Sequence, residues 1–95
     1  MTGTTRSSAG LDERRRRLLY RSWHRGTREM DLIMGRFADA MIGELSEADI
    51  DAFERLSEVP DPDLYAWLSG GLPVPPEYDI VLFRRLRDFH RTGTA

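Results

Sequence analysis

The sequence predicts an all-α fold: a small single-domain bundle of about five helices. Three observations carry this. Apolar residues recur at helical spacing in each long segment, no segment alternates with period two, and capping and stop residues cut the chain into short lengths. At 95 residues, of which 40% are hydrophobic, the chain has material for one modest core.

The first helix is expected from about Leu11 to His24. Leu11, Leu18 and Ser22 share one face, with Leu19 and Trp23 on the next. Asp12/Arg16 and Glu13/Arg17 are i,i+4 pairs with the acid N-terminal, the favourable order. Gly26 is a natural stop, because glycine takes the left-handed conformation without a Cβ penalty. The second helix starts at once, with Met30, Ile33, Met34, Phe37 and Met41 forming a core stripe. Gly26 or Thr27 caps it, which puts Glu29 at its third or second position, beside unsatisfied N–H groups. Gly35 weakens it and Gly43 ends it.

Ser46-Glu47-Ala48-Asp49 opens the third helix, with Leu45 and Ile50 placed as a hydrophobic staple and Ile50, Phe53 and Leu56 as its buried stripe. Val59-Pro60 ends it. Asp61-Pro62-Asp63 starts the fourth, with Asp61 as cap and Pro62 at the first position; Leu64, Trp67 and Leu68 carry it to Gly70-Gly71. After the stiff Leu72–Pro76 connector comes the last helix. Glu77 and Asp79 are expected in its first turn, Tyr78, Leu82, Leu86 and Phe89 in its stripe, and arginines at its end. In domain terms, residues 1–10 are a polar, disordered lead, residues 11–91 one helical domain, and residues 92–95 a frayed end.

Composition excludes several classes. There is no cysteine, so neither a disulfide framework nor a thiolate metal site. No apolar run approaches the roughly 20 residues of a membrane span, and the lead lacks the apolar stretch of a secretory signal. A soluble protein in a reducing compartment is the expectation. The charge is uneven: residues 1–36 carry +5, residues 37–79 carry −10 and residues 80–95 carry +3. Such a layout suits orientation of a protein partner. Arg14 to Arg17 point all round their helix, and the acidic middle opposes a phosphate-tracking surface, so nucleic-acid binding is not expected. His24 and His90 lack metal-pair spacing, and no nucleophile motif is present. The chain is not expected to be an enzyme.

The remaining feature is the corner Arg25-Gly26-Thr27-Arg28-Glu29, followed by Met30-Asp31. As a helix connector it needs only a turning glycine, a cap and a solvated Arg25. As a binding edge it offers a glycine that allows close approach, an arginine fork and a nearby carboxylate. Spacing alone does not separate the two.

With Phe37 and the later Asp61-Pro62-Asp63-Leu64-Tyr65-x-Trp67-Leu68, this stretch resembles the SdhE-type FAD assembly factors, small helical proteins that assist flavinylation of succinate dehydrogenase. The likeness covers roughly residues 11–90, in the same order. It implies a protein that binds the flavoprotein subunit of succinate dehydrogenase, or of fumarate reductase, and promotes covalent attachment of FAD to it. FAD would belong to the partner and not be held stably by this chain, which would be a monomer when free. Arg25, Gly26 and Glu29 match the family's docking motif; Arg28 lies within it and Asp31 matches an acidic position beyond it. Pro62, Asp63, Trp67 and Leu68 match fold positions. His24 stands where many relatives have Arg, and Met30 where Leu is common. The compartment implied is the bacterial cytoplasm, or the mitochondrial matrix in a eukaryote. The alternative is a helical adaptor, for example an antitoxin-like component, with another partner.

Overall fold

A computed structural model describes residues 10–93. Five α-helices follow in order: α1 (Glu13–Trp23), α2 (Arg28–Met41), α3 (Glu47–Ser57), α4 (Asp61–Ser69) and α5 (Val81–Thr92), with a single 3-10 turn at Pro76–Tyr78 before the last. No strand occurs among the described residues, so the fold is all-α as the periodicity predicts. Of the lead expected at residues 1–10, residues 1–9 lie outside the described part, as do residues 94 and 95 of the expected frayed end; Thr92 is the last residue of α5.

Side-chain caps set the first three helix starts. Asp12 accepts from the amide of Arg15, Thr27 from Met30 and Ser46 from Asp49. Glu29 is therefore in the second position of α2. Arg17 pairs with Glu13 at 3.2 Å. The expected Asp12/Arg16 pair does not form: Asp12 is occupied as the cap, and Arg16 donates to the Leu11 carbonyl.

Two starts differ from the sequence expectation. Pro60, not Asp61, occupies the cap position of α4, so Asp61 and Pro62 are the first two helical residues; the Asp61 carboxylate is engaged by a distant arginine instead of its own helix. In α5, Glu77 and Asp79 precede the helix, because the chain makes a 3-10 turn on Pro76 and reaches helical angles only at Val81. Asp79 still serves the start, accepting from Arg84 Nε at 3.0 Å. At the other end, Ile42 already closes α2 before Gly43.

The core gathers around Phe37 of α2, which meets Phe53 of α3 and Phe89 of α5 edge-on, ring centroids 5.5 and 5.6 Å apart. Phe83 is fully buried although the stripe counted through Tyr78 omitted it. Trp67, expected in the core, is only partly buried. Its ring meets that of Tyr78 at a 33° tilt with centroids 5.2 Å apart, and Arg55 lies over the Tyr78 ring, so these groups hold the Pro-rich connector down.

Trp23 lies flat on Gly35 of α2. A Cβ on Gly35 would meet the indole at 2.2–2.5 Å, so this glycine sets the α1–α2 spacing. The indole N–H donates to Asp39 at 3.1 Å. Much of the charge asymmetry is consumed internally. Arg14 reaches across to Glu54 at 2.7 Å, to Glu47 and to Asp51, while Arg15 binds Glu47 and the Ile42 carbonyl. Hydrogen bonding to Arg14 holds the Glu54 carboxyl below the ordinary carboxylate range.

Gly35→Ala is expected to cost about 1–3 kcal/mol through overpacking against Trp23, read from urea unfolding followed by far-UV circular dichroism. An unchanged midpoint would mean that the indole moves aside at no cost. Because the folded-state pKa of Glu54 is depressed, its contribution is present above the unfolded value, about 4.3, and is lost as pH falls through the folded value. Glu54→Gln should therefore be less stable than the parent near neutrality, with the difference shrinking as acid is added below about pH 4.

Candidate functional site

The corner between α1 and α2 is built from both sides. His24 closes α1, its amide bonding to the Arg21 carbonyl, and the chain turns through Arg25 and Gly26 to the Thr27 cap. Gly26 has φ 112°, a conformation that side chains other than glycine adopt only with strain. One turn into α2, Asp31 reaches back: one carboxylate oxygen accepts from the amides of Arg25 at 2.5 Å and Gly26 at 3.3 Å. Asp31 thus closes the loop onto its own helix.

Arg25 is neither solvated nor turned outward as a fork. Its side chain is only 9% exposed and points into the α3–α4 corner. Nε and Nη2 both donate to one oxygen of Asp61, at 2.9 and 2.6 Å. Nη2 also donates to the Val59 carbonyl at 2.9 Å, and Nη1 to the carbonyl and hydroxyl of Ser57. The cause lies in the local sequence. The chain leaving α3 meets Pro60 and then Pro62, neither of which has an N–H. The carbonyls at this helix end therefore look elsewhere for donors. A guanidinium supplies several in one plane and places positive charge at the negative end of α3. Asp61, in the first turn of α4, sits where a helix dipole favours an anion.

With Arg25 turned in, the outward surface is Gly26, Thr27, Arg28 and Glu29, all exposed. Arg28 and Glu29 make no hydrogen bond or ion pair among the described residues. They form the rim of an open groove of about 1040 Å³ between α2 and the end of α5, whose floor includes Leu32, Ile33 and Phe89. A Cβ on Gly26 would meet nothing within 4 Å, so the backbone angle, and not crowding within the chain, excludes other residues there. Beside the corner, exposed His24 stacks on Tyr20 with centroids 3.8 Å apart, and its Nδ1 lies 2.7 Å from the Tyr20 carbonyl.

Of the five residues singled out from sequence, Gly26, Arg28 and Glu29 form the exposed edge, while Arg25 and Asp31 shape it from behind. Sequence reasoning missed Asp61, Ser57 and Val59 as part of the same assembly. Asp61 is 36 positions from Arg25, and its position before Pro62 explained it locally as a cap. The one available signal was that a run with two prolines leaves helix-end carbonyls without donors. No group of three or more His, Asp or Glu residues is arranged to hold a metal among the described residues.

The described residues thus form an all-helical domain whose internally braced corner presents the exposed side chains of Arg28 and Glu29. Residues 16–90 match the family described as flavinator of succinate dehydrogenase, and the chain belongs to that family. It is 41% identical over 76 residues to the FAD assembly factor SdhE of Acetobacter pasteurianus, covering 80% of this chain and 70% of that protein. It is 38% identical over 71 residues to the mitochondrial succinate dehydrogenase assembly factor 2 of Scheffersomyces stipitis, covering 75% and 48% respectively. For the same-named protein of Danio rerio the identity is 33% over 86 residues, covering 88% and 54%. The chain thus spans about half the length of these mitochondrial relatives.

Gly26→Ala is expected to lower stability by about 1–3 kcal/mol although space is open around the Cβ, because the penalty is in φ. Urea unfolding of the variant checks this; wild-type stability would show that the corner relaxes to an ordinary conformation.

Proposed function

We propose that this chain docks through the Gly26–Glu29 edge onto the flavoprotein subunit of succinate dehydrogenase and promotes covalent attachment of FAD to a histidine of that subunit. The observation that carries the reading is the pairing of family membership with an exposed corner whose Arg28 and Glu29 side chains have no partner among the described residues. The flavoprotein subunit of fumarate reductase is a second partner on the same reading.

The division of labour follows from the chemistry available. Flavinylation needs an activated isoalloxazine and a nucleophilic imidazole, which the flavin and the partner supply. This chain contributes binding free energy to the partner conformation in which the two meet, a shift of population and not a catalytic step. FAD stays with the partner throughout. Gly26 lets the edge approach a partner backbone closely. Glu29 and Arg28 then offer an acceptor and a planar donor set. Bracing by Asp31 and Arg25 presents them in one geometry, which lowers the ordering cost of binding. No helix of the described residues is long and apolar enough to cross a membrane. The compartment on this reading is the cytoplasm of a bacterium or the matrix of a mitochondrion, wherever the flavoprotein is assembled.

Co-expression with a succinate dehydrogenase flavoprotein subunit, followed by in-gel flavin fluorescence, tests the proposal. Glu29→Ala and Gly26→Arg are each expected to lower covalent flavin several-fold while circular dichroism shows helix content nearly intact. Full flavinylation with both variants would reduce the corner to a helix connector. Recovery of an unrelated partner in place of the flavoprotein would favour an adaptor role.

A further inference from the structure

The docking edge hangs between two anchors. One is local: Asp31 of α2 accepts from the loop amides of Arg25 and Gly26, and Thr27 caps α2 by accepting from the amide of Met30. The other is remote: the Arg25 guanidinium is fixed to α3 and α4 by Ser57, Val59 and Asp61. All three guanidinium nitrogens are already used within the chain, so little of this arginine remains for a partner. Asp61 is its one ion-pair partner among the described residues, with side-chain exposures of 9% for Arg25 and 18% for Asp61. The backbone N of Arg25 is meanwhile bound to Asp31. Arg25 is therefore held at both ends, its guanidinium on the α3–α4 corner and its backbone N on α2, directly before Gly26 and the exposed edge.

We infer that Asp61 is a positioning residue for the docking edge, acting through Arg25, and that the motif arginine works inside the chain and not across the interface. Asp61 supplies the counter-charge that keeps the guanidinium on the α3–α4 corner. That corner in turn holds Gly26 and Glu29 at the angle a partner meets. Lysine does not replace Arg25, because its three donors radiate from one nitrogen, whereas the guanidinium makes five contacts from three nitrogens spread in one plane. This inference rests on the proposed docking role of the corner.

The test uses the full chain and four variants, Asp61→Asn, Arg25→Lys, Glu29→Ala and Leu86→Ala. The last removes buried core volume on α5 at a residue that makes none of the hydrogen bonds of the corner and does not line the groove. Three quantities are read: urea stability, exchange protection of the Arg25 and Gly26 amides, and affinity for the isolated flavoprotein subunit at a temperature where every variant is folded. Asp61→Asn and Arg25→Lys are expected to speed exchange at both amides and to weaken binding about tenfold, the scale of one displaced charged hydrogen bond. Leu86→Ala should lose stability yet keep both the protection and the affinity. Wild-type affinity in Asp61→Asn beside weakened Glu29→Ala would overturn the positioning role and leave the docking edge standing. Wild-type affinity in both would remove the docking edge as well. Weakened binding with unchanged amide protection would assign Arg25 to the interface itself. An equal loss of affinity in Leu86→Ala would reduce the effect to stability.

Discussion

The plane of hydrogen bonds around Arg25 is the constraint on which the arrangement of helix ends depends. Five donor contacts leave one side chain for a short stretch of chain that contains two prolines. That stretch has to end α3 and begin α4 within a few residues, and proline is well suited to stopping one helix and starting the next. Its disadvantage is the missing N–H. Carbonyls at the end of α3 are left facing a nearly buried space, where an unmet acceptor is costly. The arginine after α1 resolves this from outside, and Asp61 balances its charge. One residue thereby joins the α1–α2 corner to the α3–α4 corner.

The proposed docking edge lies on the outer side of the same joint. Gly26 permits the turn, Thr27 and Asp31 close it, and Arg25 pins it from within. The side chains of Arg28 and Glu29 face outward and have no hydrogen-bond or ion-pair partner among the described residues. An edge prepared in this way loses little conformational freedom on docking. The close seat of Trp23 on Gly35 keeps α1 tight against α2, so the corner has a rigid base as well as a rigid inner anchor.

Charge tells a similar story of internal use. Sequence bookkeeping shows basic ends around an acidic middle, a pattern suited to steering a partner. In the fold, Arg14 and Arg15 spend that basicity on α3, with Glu54 and Glu47 as their partners. Arg85 approaches Asp49 of α3 in turn. Part of the asymmetry therefore packs helices together and is not left on the surface for a partner.

Local patterns were sufficient for the helices and most of their limits. The stripes of α2 and α3, the Thr27 and Ser46 caps and the Gly70 stop are determined by residues within a few positions, because caps and periodicity act over one or two turns. The same locality explains the errors. Asp61 looked like a cap and Arg25 like a surface arginine, since each was judged by its neighbours. Glu77 and Asp79 were placed inside α5 because charge order alone does not reveal a 3-10 turn. By itself the sequence determined the helical fold, the exposed Gly26–Glu29 corner and the family likeness. Tertiary structure alone decided that Arg25 turns inward, because its partners come from another helix pair and meet it only when the chain is packed.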